Sequence, residues 1–203
     1  MEARRRARWT VAILWGVGAF CLPVFADEVY KYKGEFNLQI PADPDSSKGW
    51  MADAVIEIDC HLTILDLDVG INLTHSNVFD LQISLQSPDG TTLSLNAYNP
   101  DNEFFQGADY SQTVFDDEAP TPISQAQPPF TGRFRPNSSS GLKVFDGQDA
   151  YGPWHLQIYD AYYYDTGTLN SFGLTITTPE PTTVVLLTLG AGFVALLRPR
   201  RGR

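Results

Sequence analysis

Apolar and polar residues alternate along several short stretches in the middle of the chain. Apolar side chains occupy every second position from Leu65 to Leu73, and the pattern repeats at 79–85, 154–158 and 172–176. A period of two is typical of a β-strand with one buried face. The Ser-Pro-Asp-Gly segment at 87–90 is typical of a tight turn between strands. No stretch of the central sequence has the period of an amphipathic helix.

The segment between the early and late strands has a different composition. Residues 96–152 are rich in Pro, Gly, Asn and Ser, so we expect loops to dominate there. Many short strands separated by turn signals favour an all-β fold, in which two sheets pack as a β-sandwich.

Two further apolar stretches lie at the ends of the chain. The first follows a basic run and leads to Ala26, which is the arrangement of a cleavable secretory signal over 1–26. A retained membrane anchor is the alternative for this segment. The second stretch, 182–197, has no charged residue and precedes an arginine-rich end, so it also fits a tail anchor. We therefore expect one domain over 27–178 and a C-terminal tail over 179–203.

Charge and cysteine content restrict the function of this domain. Residues 27–178 contain 22 acidic and six basic side chains, a net charge of -16. Such a domain repels phosphate backbones, which argues against a nucleic-acid partner, and it suits an exported, soluble protein. Cys60 is the single cysteine in this segment, so no internal disulfide is expected. Cys21 follows the bulky Phe20, which disfavours a lipoprotein signal.

The C-terminal tail resembles the PEP-CTERM sorting signal of Gram-negative bacteria. Pro179, Glu180 and Pro181 precede the short apolar stretch and the basic end. The N-terminal signal predicts that signal peptidase cuts after Ala26. The resemblance implies that a membrane-embedded exosortase removes the tail near the motif. The protein would then belong to the cell envelope or the extracellular matrix, held in the membrane by its tail before processing. A permanent anchor remains the alternative.

The central segment resembles the P domain (P/Homo B domain) of proprotein convertases. The resemblance rests on the segments 74–81, 85–91, 114–119, 130–136, 145–147, 152–156 and 165–172, which follow that family's order. It implies a jelly-roll β-sandwich. The segment 96–111 and the run 162–164 depart from the family. The subtilisin-like protease domain that usually accompanies a P domain does not fit in this sequence.

The resemblance therefore implies a non-catalytic module that acts by binding, although the family is associated with subtilisin-like serine endopeptidases. One alternative is an accessory of proteolysis, which stabilises or docks to such a protease in trans. Another is a carbohydrate-binding jelly roll with a polysaccharide partner, suggested by fold analogy and tyrosine content.

Acidic residues on predicted loops are candidate ligands for a cation. Asp116, Asp117, Asp80 and Asp146 are the tentative calcium ligands. Calcium takes about six to eight oxygen ligands, which separate loops can supply, although no EF-hand spacing occurs. P-domain-like jelly rolls of secreted proteases hold calcium, so the resemblance allows it here. A solvated or capping role is the alternative, and no other cofactor is expected.

The histidines do not form a convincing catalytic or metal motif. His75 follows a strand and precedes Asp80, and we expect it to be structural rather than catalytic. His155 alternates with apolar neighbours, which predicts a solvated position. His61 adjoins Cys60, but two ligands are too few for a metal site. No Gly-x-Ser-x-Gly sequence occurs.

Four tyrosines lie close together near the end of the domain, at Tyr159 and at 162–164. We expect two of them to face the core and the others to decorate the surface. The alternative is an exposed aromatic group that stacks on sugars or on a partner protein.

Overall fold

The computed structural model describes residues 27–43, 45, 48–98 and 106–179. The strands in chain order are β1 (Glu28–Ile40), β2 (Gly49–Trp50), β3 (Ala54–Ile58), β4 (Asp66–His75), β5 (Leu81–Gln86), β6 (Thr92–Asn96), β7 (Tyr110–Phe115), β8 (Phe130–Phe134), β9 (Gly152–Asp160) and β10 (Gly167–Thr178). Single 3-10 turns occur at Val78–Asp80, Ile123–Gln125 and Leu142–Phe145. Across these described ranges, no helix has the length and apolar character of a membrane span.

The strands form two sheets that pack against each other. The larger sheet has the order β1-β10-β4-β7-β8, and the smaller has the order β2-β9-β5-β6, with β3 also paired to β9. Neighbouring strands are antiparallel except for the parallel pair β7 and β8. The prediction of an all-β jelly-roll sandwich is confirmed.

A single apolar core fills the space between the sheets, because the alternating residues of the predicted strands point inward from both sides. Trp154 of β9 is fully buried and packs edge-on against Phe145, with 5.2 Å between ring centroids. Its indole nitrogen donates a hydrogen bond of 2.9 Å to the carbonyl oxygen of Ala150. The predicted turn at 87–90 is also present, with the Gly90 N–H donating to the Ser87 carbonyl oxygen over 2.9 Å.

The prediction that loops dominate 96–152 is wrong in part, because β7 and β8 lie within this segment. The register of the pairing between β7 and β8 shifts between Tyr110 and Thr113, and Gln112 has a positive φ of 53°. This irregularity breaks the alternation of buried and exposed side chains, so β7 has no period-two signal. The 13-residue β1 was not predicted either, although it does alternate: Lys31 and Lys33 are exposed between the more buried Tyr30 and Tyr32, and the period of two continues to Ile40.

Candidate functional site

The first candidate site is a buried polar cluster where β4 and β9 end. His75 Nε2 lies 3.2 Å from Asp160 Oδ2, and both side chains are 0% exposed. His75 Nδ1 lies 2.9 Å from the carbonyl oxygen of Asn77, so both ring nitrogens face an oxygen and the ring orientation is held. The Tyr162 N–H donates to the other Asp160 oxygen over 3.2 Å.

Asp80 extends this cluster through Asn77. The Asn77 side-chain amide donates to Asp80 Oδ2 over 2.9 Å, and Asp80 is almost completely buried. Burial, with additional repulsion from Asp165 and Asp160, raises the pKa of Asp80 to about 6. Three carboxyl groups therefore lie close together near His75, and Ser76 Oγ donates to Asp165 over 2.6 Å.

The contacts of this cluster favour a structural role for His75. A catalytic base must reach the proton that it removes, but the His75 side chain is enclosed and its partners are Asn77 and Asp160. The structural role predicted for His75 fits this arrangement. Within the described residues the chain forms the sandwich alone, and no catalytic domain is present there.

A second acidic cluster lies at the opposite end of β4. Arg133 of β8 donates from Nε to Asp116 Oδ2 over 2.5 Å and from Nη2 to Asp68 Oδ1 over 2.7 Å. The Glu118 N–H donates to Asp116 Oδ1 over 2.7 Å. Burial acts to raise the pKa of Asp116, but the hydrogen bonds from Arg133 and the Glu118 segment hold it below its usual range. Both Asp116 oxygens are therefore engaged by protein donors.

The neighbouring Asp117 binds the backbone of the 3-10 turn Leu142–Phe145. Its two carboxylate oxygens accept hydrogen bonds of 2.9 Å from the N–H groups of Leu142 and Lys143. Asp146 follows this turn, and burial with repulsion from Asp117 raises its pKa. Asp117 thus has the capping role that was the alternative to calcium.

The four tentative calcium ligands do not converge on one position. Asp80 lies at the His75 end of β4, whereas Asp116 lies at the Asp68 end. His75 follows Asp68 by seven residues along the strand, which corresponds to roughly 23 Å. Among the described residues, no group of three or more His, Cys, Asp or Glu side chains is placed to hold a metal ion. Calcium binding stays a prediction.

The other sequence candidates also have separate partners. His61 Nδ1 lies 2.6 Å from Asp149 Oδ2, and its ring stacks on Tyr151 at 4.4 Å between centroids. The Cys60 sulfur instead lies 2.9 Å from the Tyr32 hydroxyl. His155 is partly exposed and lies near an aspartate, as expected for a position on the solvated face. His61 and Cys60 therefore do not act as a pair.

The predicted division of the tyrosines is wrong, because none of the four is buried in the core. Tyr159 is on the outer face of β9, and the ring of Trp50 packs on it with 4.9 Å between centroids. Tyr163 and Tyr164 are exposed in the following loop. The sequence analysis did not single out Trp50; its position near Tyr159 depends on the pairing of β2 with β9.

Only one of the four residues at the proposed processing sites is among the described residues. Pro179 is the last described residue, while Ala26, Glu180 and Pro181 lie outside the described residues.

The fold and these contacts define an all-β sandwich domain, whose acidic and histidine side chains mainly hold loops and strand ends together. The sequence matches the family model of the proprotein convertase P-domain over residues 64–176, which is more than half of the chain. The chain belongs to this P-domain family. The resemblance deduced from the sequence motifs is thereby confirmed for the P domain.

Two solved structures are similar to the chain. The serine protease of Aeromonas sobria shares 19% identity with it, over 77% of this chain and 28% of that one, with a TM-score of 0.45. The complex of the Aeromonas sobria serine protease with the chaperone ORF2 gives 18% identity, 79% and 28% coverage, and a TM-score of 0.45. The chain thus spans little more than a quarter of these structures. No curated protein matches it in sequence.

Proposed function

We propose that the protein is an exported, non-catalytic P-domain module that acts by binding at the bacterial envelope or in the extracellular matrix. The observation that carries the proposal is the enclosure of His75. This residue is a candidate base within the matched family segment, yet its side chain is sealed against Asp160 and Asn77. A net charge of -16 over 27–178 suits a domain that stays soluble outside the cell.

Hydrolysis of casein by the purified full chain tests the non-catalytic part of this proposal. We expect no hydrolysis above that of a sample prepared from cells lacking the protein. Hydrolysis that co-purifies with the chain and disappears in a His75→Ala protein that is still folded by circular dichroism, while remaining in His155→Ala, would overturn it.

The proposed location of the protein rests on the sequences of its N-terminal signal and its C-terminal tail. We propose that signal peptidase cuts after Ala26, and that an exosortase then removes the tail near Pro179-Glu180-Pro181. The order of motif, apolar stretch and arginine-rich end in the sequence supports this. Mass spectrometry of the protein from the envelope and medium of the producing bacterium tests both cuts.

We expect a mature chain beginning at Asp27, with a C-terminus near the motif. Changing Glu180 to Ala should leave the uncut tail in the membrane fraction, whereas changing the nearby Thr182 to Ala should not. Recovery of the full-length chain from the cytoplasm would contradict the proposed location.

A role beside a protease is a second candidate, favoured by the match to the P-domain family. P domains of convertases accompany a subtilisin-like protease, so this module would stabilise or dock to such an enzyme in trans. Co-purification from the producing bacterium, followed by a protease stability assay with and without the chain, tests this role. An unchanged half-life of the co-expressed subtilisin-like protease would argue against it.

A further inference from the structure

The outer face of the smaller sheet has a continuous row of aromatic and amide side chains. In β9 the residues Trp154, Leu156, Ile158 and Asp160 are buried, so the alternate residues point away from the core. Strand register then places Trp50 and Gln82 on either side of Tyr159. Gln157, which precedes Tyr159 by two residues in β9, lies on the same outer face.

The aromatic end of this row is accessible to solvent. Trp50 is 55% exposed although its ring packs on Tyr159 at an angle of 51°. The neighbouring loop adds Tyr163 and Tyr164, which are 43% and 92% exposed. Lys48 Nζ lies 4.7 Å from the centre of the Tyr163 ring, which connects the loop to the segment that contains Trp50. Strand β2 and the loop therefore share one aromatic surface.

The other end of the row is polar and held in place. The amide of Gln157 donates to Asp53 Oδ2 over 3.2 Å, and His155 Nδ1 lies 3.2 Å from the same oxygen. Gln86, opposite His155 in the register, donates to Thr92 Oγ1 over 3.3 Å. These contacts orient the side chains. A primary amide offers both donors and an acceptor, so Gln82 and Gln157 suit ligands that carry hydroxyl groups.

The combination of exposed aromatic rings and neighbouring amide side chains indicates the class of ligand. A sugar ring has an apolar C–H face and a rim of hydroxyl groups, which match an aromatic ring beside amides. The distance along β9 from Tyr159 to His155 is four residues, or roughly 13 Å, which is longer than one sugar ring. The high negative charge of the domain disfavours acidic polymers, so a neutral chain fits best.

We propose that this outer face, formed by Trp50, Tyr159, Gln82 and Gln157, is a binding site for a neutral polysaccharide. Trp50 and Tyr159 stack on a sugar ring, and the two glutamines hydrogen-bond to hydroxyl groups of the polymer. The inference rests on the proposed function as a binding module and names the ligand class of that module.

Affinity electrophoresis of the full chain in a mild non-ionic detergent tests the proposal. Native gels contain hydroxyethylcellulose, galactomannan or amylopectin as neutral probes, or alginate as an acidic probe. We expect slower migration with at least one neutral probe and not with alginate. Trp50→Ala should weaken that binding about tenfold or more, and Gln157→Ala should weaken it to a smaller extent.

Tyr151→Ala is the matched control, since Tyr151 is also 50% exposed but precedes the opposite end of β9 and stacks on His61. Its binding should equal that of the unchanged chain. Trp50→Phe keeps an aromatic ring and should retain most of the binding. Circular dichroism of each variant establishes that the sandwich is intact.

Three results would overturn the proposal: no retardation by any neutral probe, retardation by alginate alone, or retardation that Trp50→Ala leaves unchanged in a folded protein. Failure here is distinguishable from failure of the proposed function. Export, processing and the absence of hydrolysis are measured separately and do not require a sugar ligand.

Discussion

His75 and Asp160 join the two sheets of the sandwich through a contact of 3.2 Å between buried side chains. His75 is the last residue of β4 in the larger sheet, and Asp160 is the last residue of β9 in the smaller one. The contact therefore fixes the position of one sheet end relative to the other. It also sets the starting point of the loop that carries the exposed tyrosines.

Replacing His75 by Ala should strongly destabilise the fold. The change leaves Oδ2 of the buried Asp160 carboxyl without its His75 partner, which costs about 3 kcal/mol. Urea unfolding of the full chain, followed by circular dichroism, measures the loss. His155→Ala is the control, because this side chain is 30% exposed and should cost no more than about 0.5 kcal/mol.

If His75→Ala and His155→Ala lower the free energy of unfolding equally, the contact between His75 and Asp160 does not stabilise the fold as predicted. A double variant, His75→Leu with Asp160→Leu, should lose less than the sum of the single changes. The reason is that no buried charge remains without a partner.

Asp80 should make the stability depend on pH. Its pKa of about 6 in the folded protein is above the ordinary value of 3.8, so the folded state binds the proton more tightly. The favourable contribution is complete below about pH 4 and is lost as the pH rises through 6. Asp80→Asn should therefore be more stable than the unchanged protein at pH 8, by up to about 3 kcal/mol, with little difference at pH 4.

Unfolding free energies of both proteins at pH 4 and pH 8 test this sign. The groups facing Asp80, namely Asp160, Asp165 and His75, are common to both and largely cancel in the comparison. Glu57→Gln, at an exposed position of β3, should show no comparable pH effect. An equal difference between Asp80→Asn and the unchanged protein at both pH values would contradict the prediction.

Asp117 should stabilise the protein as a cap, independently of calcium. Asp117→Ala removes both acceptors of the Leu142 and Lys143 N–H groups, with an expected loss of about 1–2 kcal/mol. The loss should be the same in EDTA and in millimolar calcium, as measured by thermal unfolding of the full chain. Glu57→Gln again serves as the acidic control.

The calcium hypothesis predicts a different result. Calcium would raise the melting temperature of the unchanged protein by several degrees, and Asp116→Ala with Asp117→Ala would abolish that rise. This outcome would place a cation at these loops and would assign Asp117 a role beyond capping.

Gly141 should tolerate alanine less well than Gly147 does. Both glycines have positive φ values, of 64° and 78°, and Gly141 combines its φ with a ψ of 179°, a region that is essentially restricted to glycine, so alanine there introduces backbone strain of about 1–3 kcal/mol. A Cβ at Gly141 would in addition lie 2.5 Å from Asp117 Oδ2, whereas one at Gly147 has no neighbour within 4 Å. Gly141→Ala should therefore be the more destabilising change in urea unfolding.

The same pair of variants in an Asp117→Ala background separates the two effects. Removal of the Asp117 carboxylate should lower the cost of Gly141→Ala and leave that of Gly147→Ala unchanged, while the backbone strain at Gly141 remains. A cost of Gly141→Ala that is the same in both backgrounds would mean that Asp117 is not the obstacle.

Much of the fold could be predicted because its information is local. The alternation from Leu67 to Leu73 and the turn at 87–90 depend on neighbouring residues, and both appear in the structure, whereas Leu65 precedes β4 and is 47% exposed. β7 was missed because a bulge near Gln112 breaks the alternation, and its pairing with neighbouring strands supplies what the local pattern lacks. β1 was also missed, although its alternation from Tyr30 to Ile40 is local and could have been predicted from the sequence.

The candidate sites were less accessible to sequence reasoning. Asp116 and Asp117 are adjacent in the chain, yet one binds Arg133 and the other binds the turn at Leu142–Phe145. A run of acidic residues predicts negative charge on a loop, but it does not predict which donors will approach each carboxylate. Trp50 escaped notice for a similar reason, since its partner Tyr159 lies on a distant strand.

The sequence alone determined the strand periodicity, the acidic character and the P-domain motifs, because these depend on residue type and short spacings. Tertiary structure decided that His75 meets Asp160 across 85 residues, and that Trp50 and Gln82 both lie beside Tyr159. Such contacts depend on the register of the strands and on how two sheets bury a common core. That register is a property of the whole sandwich, and a shift by one residue would turn every outward side chain toward the core.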